Sequence, residues 1–272
     1  MSVVGSMDQT VSEEMGGRSG SPENFARELI LKLALKGHEQ VLHIGSGDGK
    51  LTAAIAACLP RGSVLGIDSS PEMIQSARES SSSNRYDNIS FSTEDIGTID
   101  SEGAFTCIVS VDMMNWVSDP KAFYAAVPRL LAPGGRLFIQ MEGPGPTETI
   151  LPRIEVLIRR SPWNEYFEGY TIPYTLLASE DMMGYCEDAG LHLLRLNQFS
   201  RSLLFNDEDL FVGWAGIFWA RLIEKVPADQ RSLFARAIIG EYTLLYPASS
   251  EGRLSLPANR IEIEVRKDPG EI

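Results

Sequence analysis

Val41-Leu42-His43-Ile44-Gly45-Ser46-Gly47-Asp48-Gly49 is the stretch from which the rest of the chain is read. Its first half is an apolar run of strand type, and its second half sets a glycine at every other position just before a helical pattern opens at Leu51. This predicts a strand, a tight turn and a helix start. Glycines there let the backbone bend at positive φ and let a ligand approach without a Cβ in the way, while the free N–H groups of the helix start offer donors. The expected product is a nucleotide-sized site at the carboxyl end of a strand.

The sequence on either side repeats a strand and helix rhythm. Upstream, Ser21-Pro22-Glu23 reads as a capped helix start, with Phe25, Leu29, Ile30, Leu33 and Ala34 at helical spacing and Gly37 ending the helix. Strands are predicted at Gln40–Ile44, Ser63–Asp68, Ile89–Thr93, Phe105–Val111 and Arg136–Met141. The helices between them run from Lys50 to about Leu59, from Pro71 towards Glu79 and from Pro120 to Leu131, with a polar loop over Ser80–Asp87. Pro133-Gly134-Gly135 is the turn into the fifth strand. Such alternation argues a parallel, doubly wound sheet, because parallel neighbours need crossover helices.

From Glu142 to about Tyr185 the rhythm gives way to Pro/Gly-rich and aromatic-rich sequence, including Trp163, Tyr166, Phe167, Tyr170 and Tyr174. A crossover helix at Ser179–Ala189, a strand at Leu191–Phe199 and helices at Asp207–Val226 and Ala228–Leu245 follow. Arg260-Ile261-Glu262-Ile263-Glu264-Val265-Arg266 alternates strictly, as a half-exposed edge strand would. The expected organisation is a flexible arm over 1–21, a nucleotide-binding core over 22–141, an aromatic-rich cap insertion with a crossover helix over 142–190, and sheet completion with a helical cap over 191–272.

Composition narrows the partners. The 272 residues carry 24 Lys and Arg against 37 Asp and Glu, a formal charge of −13 that repels phosphate backbones, so neither nucleic acid nor an anionic membrane is an expected partner. Cys58, Cys107 and Cys186 lack the paired spacing of a metal knuckle or disulfide framework, and no metal site is expected. No apolar run approaches the ~20 residues that span a bilayer, and the N-terminus shows no signal pattern. A cytoplasmic protein is the expectation.

The glycine turn rules out one alternative and weakens another, which the turn alone does not exclude. A Walker loop needs Gly-Lys followed by Ser or Thr, whereas Gly49-Lys50 is followed by Leu51 and Ile44 stands at the earlier glycine position. A dinucleotide fingerprint would place its third glycine at Lys50. Asp68 ends the second strand about 20 residues past the turn, where a carboxylate can accept from both hydroxyls of a ribose. It could also cap the following helix, a role open to Ser69 or Ser70. After the third strand, Glu94 or Asp95 could accept from an adenine amino group and Ile96 could cover the ring.

Together, Val41–Gly49, the run Gly66–Ile74, Glu94-Asp95-Ile96, Asn115-Trp116-Val117 with Asp119-Pro120, and Leu131–Gly135 resemble the class I S-adenosylmethionine-dependent methyltransferases in order and spacing. The resemblance covers roughly Phe25 to Met141 and is similar in detail to small-molecule enzymes of the trans-aconitate and juvenile hormone acid methyltransferase kind. It implies a Rossmann-like α/β fold: a seven-stranded, mostly parallel sheet, helices on both faces, a helical cap and an antiparallel last strand. It further implies that Gly45, Ser46 and Gly47 pass beneath the methionine moiety of S-adenosylmethionine. Asp68 would hold the ribose, with Ser69 and Met73 beside the adenosine; Glu94, Asp95 and Ile96 would flank the adenine, and backbone around Val111 and Asp112 would close the pocket near the sulfonium. Trp116 matches a tryptophan that holds a substrate carboxylate in carboxyl-methylating relatives; a core tryptophan under the cap is the competing reading.

His43 stands where the family carries an acid, so it is grouped with the cofactor residues but cannot supply negative charge near the cofactor's ammonium. No dyad or triad is recognisable, which suits methyl transfer, since the sulfonium is already activated and the enzyme aligns the acceptor and excludes water. Leu210, Trp214, Phe218 and Leu222 recur at helical spacing and are expected mostly in the cap core, with some lining an apolar pocket. The function read from these residues is methyl transfer from S-adenosylmethionine, giving S-adenosylhomocysteine, to a small apolar or aromatic molecule, with oxygen of a carboxylate or hydroxyl ahead of carbon and nitrogen. The alternative is a methyltransferase-fold protein that binds the cofactor structurally and acts as a cyclase or non-catalytic partner.

Overall fold

The computed structural model describes residues 22–82 and 86–270, so the predicted arm over 1–21, the cap at Ser21 and part of the Ser80–Asp87 loop lie outside the described residues. The elements in chain order are α1 (Pro22–Leu33), β1 (Gln40–Ile44), α2 (Lys50–Ala57), β2 (Ser63–Asp68), α3 (Pro71–Ser82), β3 (Ile89–Thr93) and β4 (Phe105–Val111). They continue with α4 (Pro120–Leu130), β5 (Leu131–Glu142), α5 (Pro146–Leu157), α6 (Ser179–Asp188), β6 (Leu191–Phe205), α7 (Glu208–Phe218), α8 (Ala220–Ile223), α9 (Arg231–Leu245) and β7 (Leu254–Lys267).

The strands form one seven-stranded sheet in the order β3-β2-β1-β4-β5-β7-β6. Neighbours from β3 through β5 are parallel, and β7 runs antiparallel to both β5 and β6. Successive strand residues face opposite sides, so Val41 packs with Leu29, Leu33 and Ile55 of α1 and α2, while Leu42 packs with Phe123, Val127 and Met182 of α4 and α6. Helices thus cover both faces, as the doubly wound reading requires.

The edge-strand reading of Arg260–Arg266 is corrected. These residues lie in β7, between β5 and β6, and the exposed edge belongs to β6, where Leu193, Leu194 and Leu204 are solvent-facing. Alternation misled because the polar positions of β7 are buried against partners. Arg260 meets Asp112 and Glu142, Glu262 meets Lys32 and the Gln140 amide, and Glu264 meets Arg136 and Arg195.

Three further corrections concern the cap. Residues 146–157, read only as irregular, form α5, whose Ile150, Ile154 and Leu157 are buried at helical spacing despite the internal Pro152. The helix expected over Asp207–Val226 is broken at Trp219 into α7 and α8, and Leu210 points to solvent; Phe211, Ala215 and Trp219 form the buried stripe. Beyond the Glu142–Arg260 pairing, β6 and β7 continue as a two-stranded ribbon that delivers Phe205, Leu254 and Leu256 into a second core built from α5, α7, α8 and α9. Strand β5 also begins earlier than expected, at Leu131, with the Pro133–Gly135 turn absorbed as a register shift opposite Phe105–Cys107.

Candidate active site

The carboxyl ends of β1, β2, β3 and β4 open on a cavity of about 240 Å³. Strand β1 delivers the glycine turn, in which Gly45, Gly47 and Gly49 all adopt positive φ. The turn is tied to the end of β2 by three hydrogen bonds: Gly45 and Ser46 N–H donate to the Ile67 carbonyl at 2.9 Å each, and Gly47 N–H donates to Asp68 Oδ2 at 3.0 Å.

Asp68 Oδ1 accepts from Ser70 N–H at 2.9 Å, while the Ser70 hydroxyl accepts from Met73 N–H at 3.2 Å. Ser70 therefore caps α3, and Asp68 instead locks the glycine turn. A carboxylate has about four lone-pair sites, so two backbone bonds leave Asp68 capacity for ligand hydroxyls. Beside it, Asp95 Oδ1 accepts from Gly97 N–H at 2.9 Å, Glu94 accepts from the Ser92 hydroxyl at 2.5 Å, and Ile96 is buried in the α4-side core.

Strand β4 ends in Val111, and Asp112 follows with φ +56°. The backbone then places Met113 against the glycine turn, where a Cβ on Gly45 would lie 2.5 Å from Met113 Cγ. A short 3-10 turn, Met114–Trp116, brings the Trp116 indole under the cap, edge-on to Tyr174 at 5.0 Å and to Trp219 at 5.8 Å between ring centroids. Trp116 is thus both a member of the cap core and a wall of the cavity, so the two readings of this residue are compatible.

Of the residues singled out in the sequence, Gly45, Asp68, Ser69, Glu94, Asp95, Ile96 and Trp116 line one cavity. Ser46, Gly47, Val111 and Asp112 stand close to lining residues in the chain without lining the cavity, and Met73, in the first turn of α3, does not line it. Gly47 has open space where a side chain would project, whereas Gly49 is crowded by Ala77 and Phe91. His43 stands apart, buried on the α2 side of the sheet with Nδ1 2.8 Å from the Thr52 hydroxyl. Burial pushes its pKa down to about 4, so the ring is neutral.

Sequence reading missed three residues. Met113 and Arg221 line the cavity, and Arg260 anchors the residue before Met113. Arg221 left a trace in the sequence as a cation inside the apolar run Trp219–Ile223, but nothing local shows what it faces. The cap aromatics around Trp214 and Phe218 stack on each other, and Arg221 is the cap residue that reaches the cavity.

Comparison with known proteins agrees with this architecture. A methyltransferase-domain family model matches residues 35–159. The trans-aconitate 2-methyltransferase of Methylobacterium radiotolerans is 34% identical over 250 residues, covering 89% of this chain and 92% of the relative. Among solved structures, the [4+2]-cyclase SpnF superposes with a TM-score of 0.60 at 16% identity, covering 94% of this chain and 86% of that one. Phosphoethanolamine N-methyltransferase 2 of Haemonchus contortus, solved with S-adenosyl-L-methionine, gives 0.57 at 16%, covering 90% of this chain and 52% of that one. Those structural likenesses speak for the fold; with the sequence match and the strand order, the chain belongs to the class I S-adenosylmethionine-dependent methyltransferases.

Proposed function

We propose that the chain methylates a carboxylate oxygen of a small organic acid. The observation that carries this reading is that Asp68 and Trp116 line the same cavity, one suited to a ribose and the other to an acceptor. The residues fit the adenosine half of the cofactor. Asp68 has unused acceptor capacity, Ser69 stands beside it, and Glu94 or Asp95 can accept from an exocyclic amine next to the apolar face of Ile96. Gly45, Ser46 and Gly47 would underlie the methionine moiety, Met73 would sit near the adenosine, and the backbone at Val111 and Asp112 would approach the sulfonium. When bound, S-adenosylmethionine supplies an activated methyl group on a positively charged sulfur.

The chain's own part is alignment and exclusion of water. A carboxylate acceptor aligned on that methyl group would form the new C–O bond with its own lone pair, the electron pair of the broken bond staying with the departing sulfur. An anionic acceptor gives up no proton in this step, so no general base is required. In keeping with that, among the described residues no histidine lines the cavity, and His43 is locked away with Thr52. The name of the relative at 34% identity, trans-aconitate 2-methyltransferase, supports an acid as acceptor. Action in a reducing cytoplasm on a diffusing small molecule belongs to the same reading, supported by three free cysteines; among the described residues no helix is long and apolar enough to cross a membrane.

Incubation with S-adenosylmethionine labelled in its methyl group and a panel of carboxylic acids, phenols and amines tests this. Label is expected in a base-labile ester. Label in a base-stable ether or amine would overturn the choice of acceptor but not methyl transfer, and tight S-adenosylhomocysteine binding without turnover across the panel would favour a cofactor-holding fold of different chemistry.

A further inference from the structure

We infer that Arg221 is the side chain that receives the carboxylate of the acceptor. The inference rests on the small-acid reading above and deepens it, because it assigns a residue that none of the family motifs contains.

The argument begins with charge. Asp68, Glu94, Asp95 and Asp119 all line the cavity, in a chain of net charge −13, and among the described residues Arg221 is the one cation that lines it. An acidic acceptor entering this space meets like charge on the β2 and β3 side and a single countercharge on the cap side. Nearby cap cations are engaged elsewhere. Lys225 lies over the Tyr170 ring at 4.2 Å, and Arg231 donates to the Val226 and Glu224 carbonyls at 3.1 and 3.2 Å and pairs with Glu72 at 3.4 Å.

Geometry supports the same assignment. Arg221 sits on α8 between Trp219 and Leu222, both fully buried, so the cap core fixes its backbone and leaves the guanidinium as the adjustable part. Its present contacts are weak. Nη1 donates to the Trp116 carbonyl at 3.5 Å and Nη2 to the Ser69 hydroxyl at 3.4 Å, both at the outer limit of a hydrogen bond and both to neutral oxygens. The guanidinium also lies 5.9 Å from the Trp116 ring, the residue that the family resemblance assigns to the acceptor. A carboxylate offers this fork two parallel charge-assisted bonds of about 2.7–2.9 Å, and swapping two stretched neutral contacts for them strands no buried donor. The break in the helix at Trp219 is what turns this side chain toward the cavity.

Calorimetry on the S-adenosylhomocysteine-loaded protein tests the assignment without requiring turnover. Small carboxylic acids and their uncharged amides are titrated into the wild type, Arg221→Gln and Arg221→Lys, with thermal melting as a check on folding. Arg221→Gln is expected to weaken acid binding roughly 10- to 100-fold, to leave amide binding unchanged, and to hold S-adenosylhomocysteine affinity within about twofold; Arg221→Lys, which keeps charge but loses the fork, should fall between. Three results would overturn the inference: acids binding Arg221→Gln as well as wild type, wild type preferring no acid over its amide, or Arg221→Gln losing cofactor affinity while acid binding is unchanged. The last would assign Arg221 to the cofactor's own carboxylate. Acids that bind through Arg221 but are never methylated would sink the proposed reaction and leave this inference standing, whereas esters formed with unchanged KM in Arg221→Gln would do the reverse.

Discussion

Arg260 of β7 pairs with Asp112, the residue that leaves the end of β4 in a left-handed conformation at φ +56°. The arginine is 4% exposed and also meets Gln140 Oε1 at 3.1 Å and Glu142 Oε2 at 3.5 Å. Asp112 N–H donates to the Gln140 carbonyl at 2.9 Å, and Trp116 N–H donates to the Met113 carbonyl at 2.8 Å, so the ion pair sets where the loop carrying Met113 and Trp116 begins.

Removing the arginine leaves Asp112 and the buried Glu142 without their cation. Arg260→Met should cost about 3–5 kcal/mol in urea unfolding. Asp112→Gly should be more stable than Asp112→Ala by about 1 kcal/mol, because only glycine takes positive φ without strain. Equal stability of the two would show that the left-handed turn is not the native conformation in solution.

Gly45 and Met113 are coupled by contact. A methyl group on Gly45 would lie 2.5 Å from Met113 Cγ, on a backbone already at φ +74°. Gly45→Ala should therefore destabilise by at least about 1–3 kcal/mol and lower affinity for S-adenosylhomocysteine. A double-mutant cycle with Met113→Ala should recover part of that loss; strict additivity would mean that the contact does not limit the turn.

His43 makes stability depend on pH. Its folded pKa of about 4 lies below the ordinary 6.5, so the unfolded chain takes up the proton first as pH falls. The stability it contributes is complete above pH 6.5 and is lost between about 6.5 and 4, an effect of at most about 3 kcal/mol. Unfolding free energies of wild type and His43→Gln from pH 7.5 to 4.5 should converge on the acid side. Parallel curves would show that His43 is charged or accessible in the fold.

Asp68 both locks the glycine turn and faces the cavity. Asp68→Ala should weaken S-adenosylhomocysteine binding roughly 10- to 100-fold by calorimetry, the loss of hydrogen bonds to a charged acceptor. Met73→Ala, in the first turn of α3 and not lining the cavity, should change affinity much less.

The strand and helix rhythm, the glycine turn, Asp68 and the Glu94–Ile96 segment were legible in the sequence because each rests on near neighbours in the chain. A strand's period, a cap and a turn residue act over a few positions, and the family motifs are built from such local pieces. What reads poorly is whatever depends on distant partners. Arg260, Glu262 and Glu264 look like the outward face of an edge strand until Asp112, Lys32 and Arg136 are brought against them from elsewhere in the fold. Arg221 looks like an ordinary surface cation until the break at Trp219 aims it between Ser69 and Trp116. The sequence by itself thus determined the α/β core and the strand-end residues of the cavity, Gly45, Asp68 and Glu94–Ile96, since local backbone preference dictates them. Only the tertiary structure decided the cap side of the cavity, because there Arg221 meets the Trp116 carbonyl and the Ser69 hydroxyl, groups more than a hundred residues away in the chain.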